Sequence, residues 1–524
     1  MKAFLMHKDQ DFDLQRKPPL NEQALTQDLA LNTLFETMAL GDEFLLEVAE
    51  KAVLSSLNDP DSILYRQNIL EDCLKNPSIV RSVYNLALES IEKKKRHWWG
   101  FSSRYPGSIL FSSVEALKMF VGQLKKLRTV ADEHAGKFDS EGFARFFAML
   151  KEDLGDEYFA RIEEHLKELK FRKGVLISAE LGQGNKAVNF VLHKSRGKKQ
   201  NWVERIFGRQ SPVYSFRLPP RDENGAKALA DLKDRGLNLV ANALAQSADH
   251  ILSFFLMLRT ELAFYAGCLN LHEQLVKKGA PACFPVPTAS GERRRSFHGL
   301  YDVCLALSGK QKVVGNDVNA DNKDLVIITG ANQGGKSTFL RSIGQAQLMT
   351  QAGMFVPADS FSSEVCEGVF THYKREEDTA MKSGKLDEEL SRMSDIADNI
   401  TPTSMLLFNE SFAATNEREG SEIARQIAGA LVEKGVKVFF VTHLYEFAHG
   451  MYGQKMKNAV FLRAERRPDG ARTFMVVEGE PLQTSYGEDL YERVFKSGCA
   501  PDADPSVGVE HGALPPCAPS ADRV

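Results

Sequence analysis

The chain has 524 residues, 43% of them hydrophobic and 26% charged, with a formal net charge of -4. That length holds about two to four domains with ample material for buried cores. So small a charge excludes a protein that binds polyanions by bulk electrostatics, so any nucleic-acid contact must come from local patches.

Seven cysteines (73, 268, 283, 304, 366, 499 and 517) form no C-x-x-C pair. They point to buried free thiols in a reducing compartment rather than to disulfides or a zinc site. The N-terminal MKAFLMHKDQDFDL has no sustained apolar run and is a poor signal peptide. The most apolar run, Ile251 to Tyr265, is interrupted by Arg259 and Glu261 and is too short to span a bilayer. A cytoplasmic protein with no membrane partner is expected.

In chain order, residues 1–28 are polar with Pro18-Pro19 and read as an extended arm. Helical periodicity starts at Asp28, breaks at Asn58-Asp59-Pro60-Asp61 with a cap for the next helix, and continues through Val80–Arg96, Ser112–Glu133 and Ser140–Arg172. Between about 174 and 220 the period changes, and GVLISAEL, AVNFVLHK and VYSFRLP read as strands. From Ala226 to Lys278 helical spacing returns, as two helices or one long bent one. Gly279 to Gly299, with three prolines and Arg293-Arg294-Arg295, reads as the entry to the next domain. The expected divisions are an arm (1–28), a helical region (29–299) with the β insertion at 174–220, a nucleotide domain (300–497) and a disordered tail (498–524).

The nucleotide domain is organised around LVIITGANQGGKSTFL, Leu325 to Leu340. A buried-type strand runs into Gly330-x-x-x-x-Gly335-Lys336-Ser337 and then into helix-forming sequence. Glycines let backbone N–H groups wrap a polyphosphate, and the helix starting at Lys336 aims its positive end at the same anion. Lys336 adds charge for the outer phosphates, and the Ser337 hydroxyl can join a Mg2+ coordination sphere. Beyond the loop, MFVPA, Gly368–His372, Met405–Phe408 and Val436–Thr442 read as strands, and Ser421–Glu433 as a helix. Alternation of this kind predicts a mostly parallel sheet covered on both faces.

The strand MLLF ends in Asn409-Glu410, where NTPases place a Mg2+-side acid with a base beside it. Glu410 is the candidate to orient the attacking water. Asn409 stands where an aspartate is expected, so it brings no net charge to the metal, and either slower hydrolysis or weaker metal binding is expected. His443 closes the strand VKVFFVT, which points it into the ligand crevice of a parallel sheet.

The segments TGANQGGKSTFLRS, GMFVPAD, VFTHYKREED, LLFNES, TNEREG and VTHLYEF resemble the ATPase domain of the MutS family. The resemblance is strong over roughly 300–450 and weaker near 30–80. It implies an ABC-type P-loop NTPase fold preceded by a large helical core and lever region. It also implies nucleotide contacts at Gly330, Asn332, Gly334, Gly335, Lys336, Ser337 and Thr338, a further contact at Asn316 in the pair Asn316-Asp317, Glu410 as catalytic base and His443 as phosphate sensor. ATP and Mg2+ are the implied ligands, with Ser337 and Asn409 on the metal side. A homodimer through the ATPase domains is implied, each nucleotide lying between one subunit's phosphate loop and its partner's signature segment. That signature falls on Gly384-Lys385-Leu386, with Ser383 one residue early. Without a glycine-aromatic Phe-x-Glu wedge, mismatch reading is not expected.

DNA, or another nucleic acid, is the implied macromolecular partner. The candidate contacts are Lys93–Arg96 with His97-Trp98-Trp99, then Lys125, Lys126 and Arg128, and the basic stretch 194–210 with Trp202 and Phe207. Lysines and arginines grip phosphates regardless of sequence, and an adjacent aromatic can stack on an exposed base. The rival reading is an ATP-binding switch with negligible turnover that acts through a protein partner.

Overall fold

The computed structural model describes residues 1–98, 105–171, 174–194, 214–215, 217–309, 312–375 and 384–483. Its first third is helical: α1 (Glu22–Asp28), α2 (Leu31–Ala39), α3 (Glu43–Leu54), α4 (Pro60–Lys75), α5 (Pro77–Trp98), α6 (Pro106–His134), α7 (Glu141–Asp153) and α8 (Asp156–Glu168). At the expected break before α4, the Asp59 side chain accepts from the Ser62 amide at 2.7 Å, and Pro60 takes the first helical position, where no amide is needed. Such a cap is worth about 1 kcal/mol.

Residues 1–28 are not a free arm. They contain α1, and Ala3, Leu5, Met6 and Phe12 are buried in the main core. Buried Glu261 accepts from the Leu5 amide at 2.6 Å, and the Arg66 guanidinium donates to the Met6 carbonyl at 3.2 Å. The four apolar residues follow neither helical nor strand period, so the sequence shows only the charges between them.

After α8 come β1 (Leu176–Leu181) and β2 (Ala187–His193), an antiparallel hairpin made from the first two expected strands. The third, VYSFRLP, has no strand among its described residues 214, 215 and 217–219. Next is α9 (Glu223–Lys277), one continuous helix of 55 residues and about 80 Å. Ile177 of the hairpin packs where Gly236 of α9 has no Cβ. Among the described residues α9 is the one helix long and apolar enough to cross a membrane, yet 67% of its most apolar window is buried inside the molecule. Phe255, Leu258, Leu262 and Phe264 are buried, and the helix packs against α2, α3, α5 and α6.

The remaining elements are β3 (Val286–Thr288), β4 (Arg295–Leu300), α10 (Val303–Ser308), β5 (Asn316–Asn319), β6 (Leu325–Gly330), α11 (Lys336–Gln351), β7 (Ser360–Glu364), β8 (Val369–Tyr373), α12 (Lys385–Asn399), β9 (Met405–Asn409), α13 (Glu417–Glu433), β10 (Lys437–Val441), α14 (Tyr445–Gly453), β11 (Ala459–Arg466) and β12 (Arg472–Glu478). They build a six-stranded sheet in the order β12-β11-β6-β10-β9-β8. Its pairings are parallel except for β12, which runs antiparallel at the edge. One face carries Val326, Ile328, Leu407 and Phe439 into the core shared with α11 and the helical region. The other carries Leu325, Ile327, Phe408 and Phe440 against α13 and α14. Burial on both faces explains why these strands read as unbroken apolar runs.

A second sheet, β3-β7-β4-β5, flanks the first. Two of its strands, β3 and β4, fall within residues 286–300, so the segment read as the entry to the nucleotide domain already contributes strands. MFVPA forms only a single bridge, Cys283 to Val356, and the strand is the next segment, β7. Buried glutamines fasten α11 to the helical region. Gln345 donates to the Leu29 carbonyl at 2.9 Å and Gln351 to the Leu57 carbonyl at 3.0 Å. The five described cysteines are free, as expected.

Candidate nucleotide-binding site

β6 leaves the sheet at Gly330 with φ +109°, where a Cβ would lie 2.8 Å from the Ala464 amide of neighbouring β11. The loop ends at Gly335, φ +90°, which caps α11. Only glycine holds both turns without strain. The amides of the first turn of α11 have no acceptor within the helix and face outward as anion donors. Lys336 is buried, and its ammonium donates to the Gly330 carbonyl at 2.9 Å and the Ala331 carbonyl at 3.0 Å. Burial brings its pKa down to about 8, against the pull of the Glu410 carboxylate and with a further push from Arg472.

Across the loop, the Ser337 hydroxyl donates to Asn409 Oδ1 at 2.8 Å. Glu410 follows with φ +56°, a left-handed backbone that costs a non-glycine residue about 1–2 kcal/mol. Its amide donates to the Val441 carbonyl at 2.9 Å. His443 Nε2 lies 2.9 Å from Glu410 Oε1. That hydrogen bond, assisted by Lys336 and Lys374, holds the carboxyl below the usual range against the opposing effect of burial. Glu410 is therefore an ionised base at neutral pH.

A cavity of about 690 Å³ joins these groups. Asn332, Gly334, Gly335, Lys336, Ser337, Thr338 and Glu410 form its polar side; Leu300, Leu305, Val313 and Phe339 are among its apolar wall. Gly330, Asn409 and His443 do not line it; Gly330 and His443 border a separate small cavity. Asn316 lines the cavity, but its side chain holds β12: Oδ1 accepts from the Val476 amide at 2.7 Å and Nδ2 donates to the Phe474 carbonyl at 3.4 Å. Asp317 turns away to the Gly299 amide at 2.7 Å.

Two groups of residues were not legible as site residues. The first fixes the turn after Glu410. His372 is buried, its Nε2 2.9 Å from the Glu389 carbonyl and its Nδ1 2.7 Å from the Ser411 hydroxyl. Burial lowers its pKa to about 4, so it is neutral. Glu389 of α12 accepts from the Phe412 amide at 2.8 Å, and the His372 ring stacks on Phe412. A lone histidine inside a strand and one glutamate on a charged helix carry no sequence signal for this. The second group is Arg472 and Phe474 of β12, brought to the loop by a hairpin pairing that no local motif announces.

Of the signature positions, Gly384 caps α12 and Lys385 and Leu386 begin it, while Ser383 lies outside the described residues. The basic candidates have acidic neighbours: Lys93 to Glu89 (2.6 Å), Lys94 to Asp249 (2.6 Å), Lys125 to Glu163 (2.6 Å) and Arg128 to Asp132 (3.0 Å). Lys194 pairs with Glu168 at 2.7 Å. Residues 195–210, Trp99 and the side chains of His97 and Trp98 lie outside the described residues.

Comparison with known proteins matches residues 58–278 to the MutS2 N-terminal domain and residues 326–495 to MutS domain V. The chain is 35% identical over 182 residues to the DNA mismatch repair protein MutS of Thermotoga sp. (strain RQ2), covering 34% of this chain and 23% of that protein. It is 29% identical over 190 residues to the protein of that name from Caldicellulosiruptor bescii, covering 33% and 22%. Against that of Chlorobium chlorochromatii it is 35% identical over 144 residues, covering 27% and 16%. The matches thus span about a quarter or less of these relatives. Two domain models of one family, in the order helical region then phosphate-loop domain, identify the chain: it belongs to the MutS family.

Proposed function

We propose that the protein is a MutS-type ATPase whose nucleotide state governs its grip on DNA. The observation that carries the reading is the convergence of Lys336, Ser337 and Glu410 on one cavity, with Glu410 ionised. Loop amides and the Lys336 ammonium hold the triphosphate. Glu410 accepts the proton of the attacking water, and His443 orients the carboxylate through its 2.9 Å hydrogen bond.

Among the described residues no three His, Cys, Asp or Glu side chains cluster as a metal cage. The neighbouring oxygens of Ser337 and Asn409 suit a divalent ion held chiefly by nucleotide phosphates. When bound, Mg2+ neutralises charge developing on the transferred phosphoryl group. The relatives are named for DNA mismatch repair, and by analogy two copies of this chain pair in ABC fashion through their ATPase domains, moving helical arms around DNA.

A second reading, an ATP-dependent switch without turnover acting through a protein partner, is favoured by one observation: Asn409 supplies no charge to the metal side. Mg2+-dependent ATP hydrolysis, assayed with and without duplex, single-stranded and branched DNA, separates the two. Turnover that responds to DNA supports the first, and tight ATP binding without turnover supports the second.

A further inference from the structure

Residues 4–12 supply no group to the nucleotide site, yet their backbone is gripped by side chains of two buried helices. The Leu5 amide donates to Glu261 Oε2 of α9 at 2.6 Å, and the Phe12 amide reaches the other carboxylate oxygen at 3.4 Å. Tyr265, one turn further along α9, donates its hydroxyl to the Leu5 carbonyl, and Tyr65 of α4 donates to the Phe4 carbonyl at 2.7 Å. Arg66, also on α4, gives Nε and Nη2 to the Met6 carbonyl at 3.2 and 3.1 Å. Leu5, Met6, Glu261 and Tyr265 are fully buried.

The same Arg66 holds the far end of the phosphate-loop helix. Its Nη1 donates at 3.0 Å to the carbonyl of Ala352, the cap of α11, whose first residue is Lys336. Gly353, with φ +76°, lets the chain close here, since a Cβ would lie 2.7 Å from the Arg66 Cβ. α11 therefore carries a guanidinium at its carbonyl end and the phosphate loop at its amide end, an arrangement its dipole favours. Its 16 residues make a rod of about 24 Å. Drawing the Met6 or the Ala352 carbonyl away orphans a buried donor, so these parts shift together or stay closed.

We propose that Phe4–Met6 is a joint between the nucleotide site and α9: Arg66 is the positioning residue that ties the far end of α11 to it, and Glu261 with Tyr265 ties it to α9. This inference rests on the nucleotide reading of the site and names the residues through which bound nucleotide and the helical region act on one another. Such coupling is reciprocal. The factor by which nucleotide steadies the joint equals the factor by which a fully opened joint weakens nucleotide binding.

The test is hydrogen exchange on the full chain, with and without a non-hydrolysable ATP analogue and Mg2+, read at the Leu5, Met6 and Phe12 amides with those of α8 as control. Bound analogue should slow exchange at the joint by about fivefold or more and leave α8 unchanged. Tyr265→Phe removes one hydroxyl and keeps the ring, and Arg66→Lys cannot span both carbonyls. Each should abolish that slowing and weaken analogue binding by up to the same factor, and Tyr265→Phe alone carries the test if Arg66→Lys does not fold. Slowing that is absent from the wild type, or equal in α8, overturns the joint while the nucleotide reading stands. Variants that lose thermal stability yet keep the wild-type slowing overturn it too, leaving these residues a packing role. Wild-type protein that binds no analogue overturns the nucleotide reading and this inference together.

Discussion

The Ser337 hydroxyl donates to Asn409 Oδ1 at 2.8 Å, so the start of α11 and the end of β9 meet, and on the proposed reading these two oxygens would hold the divalent ion. An aspartate in place of Asn409 accepts the same bond and adds a full charge near the metal. Asn409→Asp is therefore expected to lower the Mg2+ concentration for half-maximal ATP hydrolysis by about tenfold and to raise turnover. Mg2+ titration of the ATPase rate checks this; an unchanged titration curve means the amide already suffices.

Lys336 has its pKa lowered from 10.5 to about 8 in the folded, ligand-free protein. Between those two values the unfolded chain holds the proton and the folded one does not, so this residue makes stability rise with pH across about 8 to 10.5 and contributes no slope below that window. Nucleotide binding has the opposite preference, because phosphates require the ammonium form. ATP affinity should be level below about pH 8 and fall by up to about tenfold per unit above it, with a proton taken up on binding. Calorimetry in buffers of differing ionisation enthalpy measures that uptake. Binding at pH 9 without it contradicts the placement of Lys336 on the phosphates.

Glu389 reaches from α12 to the Phe412 amide and so fixes the left-handed turn that presents Glu410. Glu389→Ala should lower turnover by roughly tenfold while leaving ATP affinity intact, because it frees the turn without touching the phosphate loop. Glu389→Gln keeps an oxygen acceptor and should retain most activity. Affinity and turnover falling together in Glu389→Ala would point to a general loss of structure instead.

On the helical region, Glu89 pairs with Lys93 at 2.6 Å and lies 3.8 Å from Lys126. If these lysines contact DNA phosphates, Glu89 competes with the DNA. Glu89→Gln should then tighten DNA binding by a few-fold, and wild-type affinity should fall steeply between about 50 and 200 mM salt. Affinity that is flat with salt removes the phosphate-gripping clamp from the account.

The phosphate loop, β9 and β10 were legible because strands buried on both faces read as apolar runs and because the loop's spacing is dictated by a phosphate. The second sheet was hidden for the converse reason. β7 is Ser-Phe-Ser-Ser-Glu, and β4 opens with Arg295, the last of three consecutive arginines in the segment read as a domain entry, which is buried with its guanidinium against the Phe439 ring. Arg66 was similarly unreadable: it is fully buried because backbone carbonyls of Met6 and Ala352, far apart in sequence, converge on it. Asn316 was placed at the site and lines the cavity, but nothing local to it reveals that its side chain also holds β12, which folds back 158 residues later.

The proposed hydrolysis depends most directly on Glu410, and the measurement that tests it is Mg2+-dependent ATP turnover of the wild type and Glu410→Gln, with ATP affinity determined for both. The predicted result is affinity unchanged within about twofold and turnover reduced by about a hundredfold or more. Equal turnover in the two proteins contradicts the assignment of Glu410 as the base that faces the triphosphate.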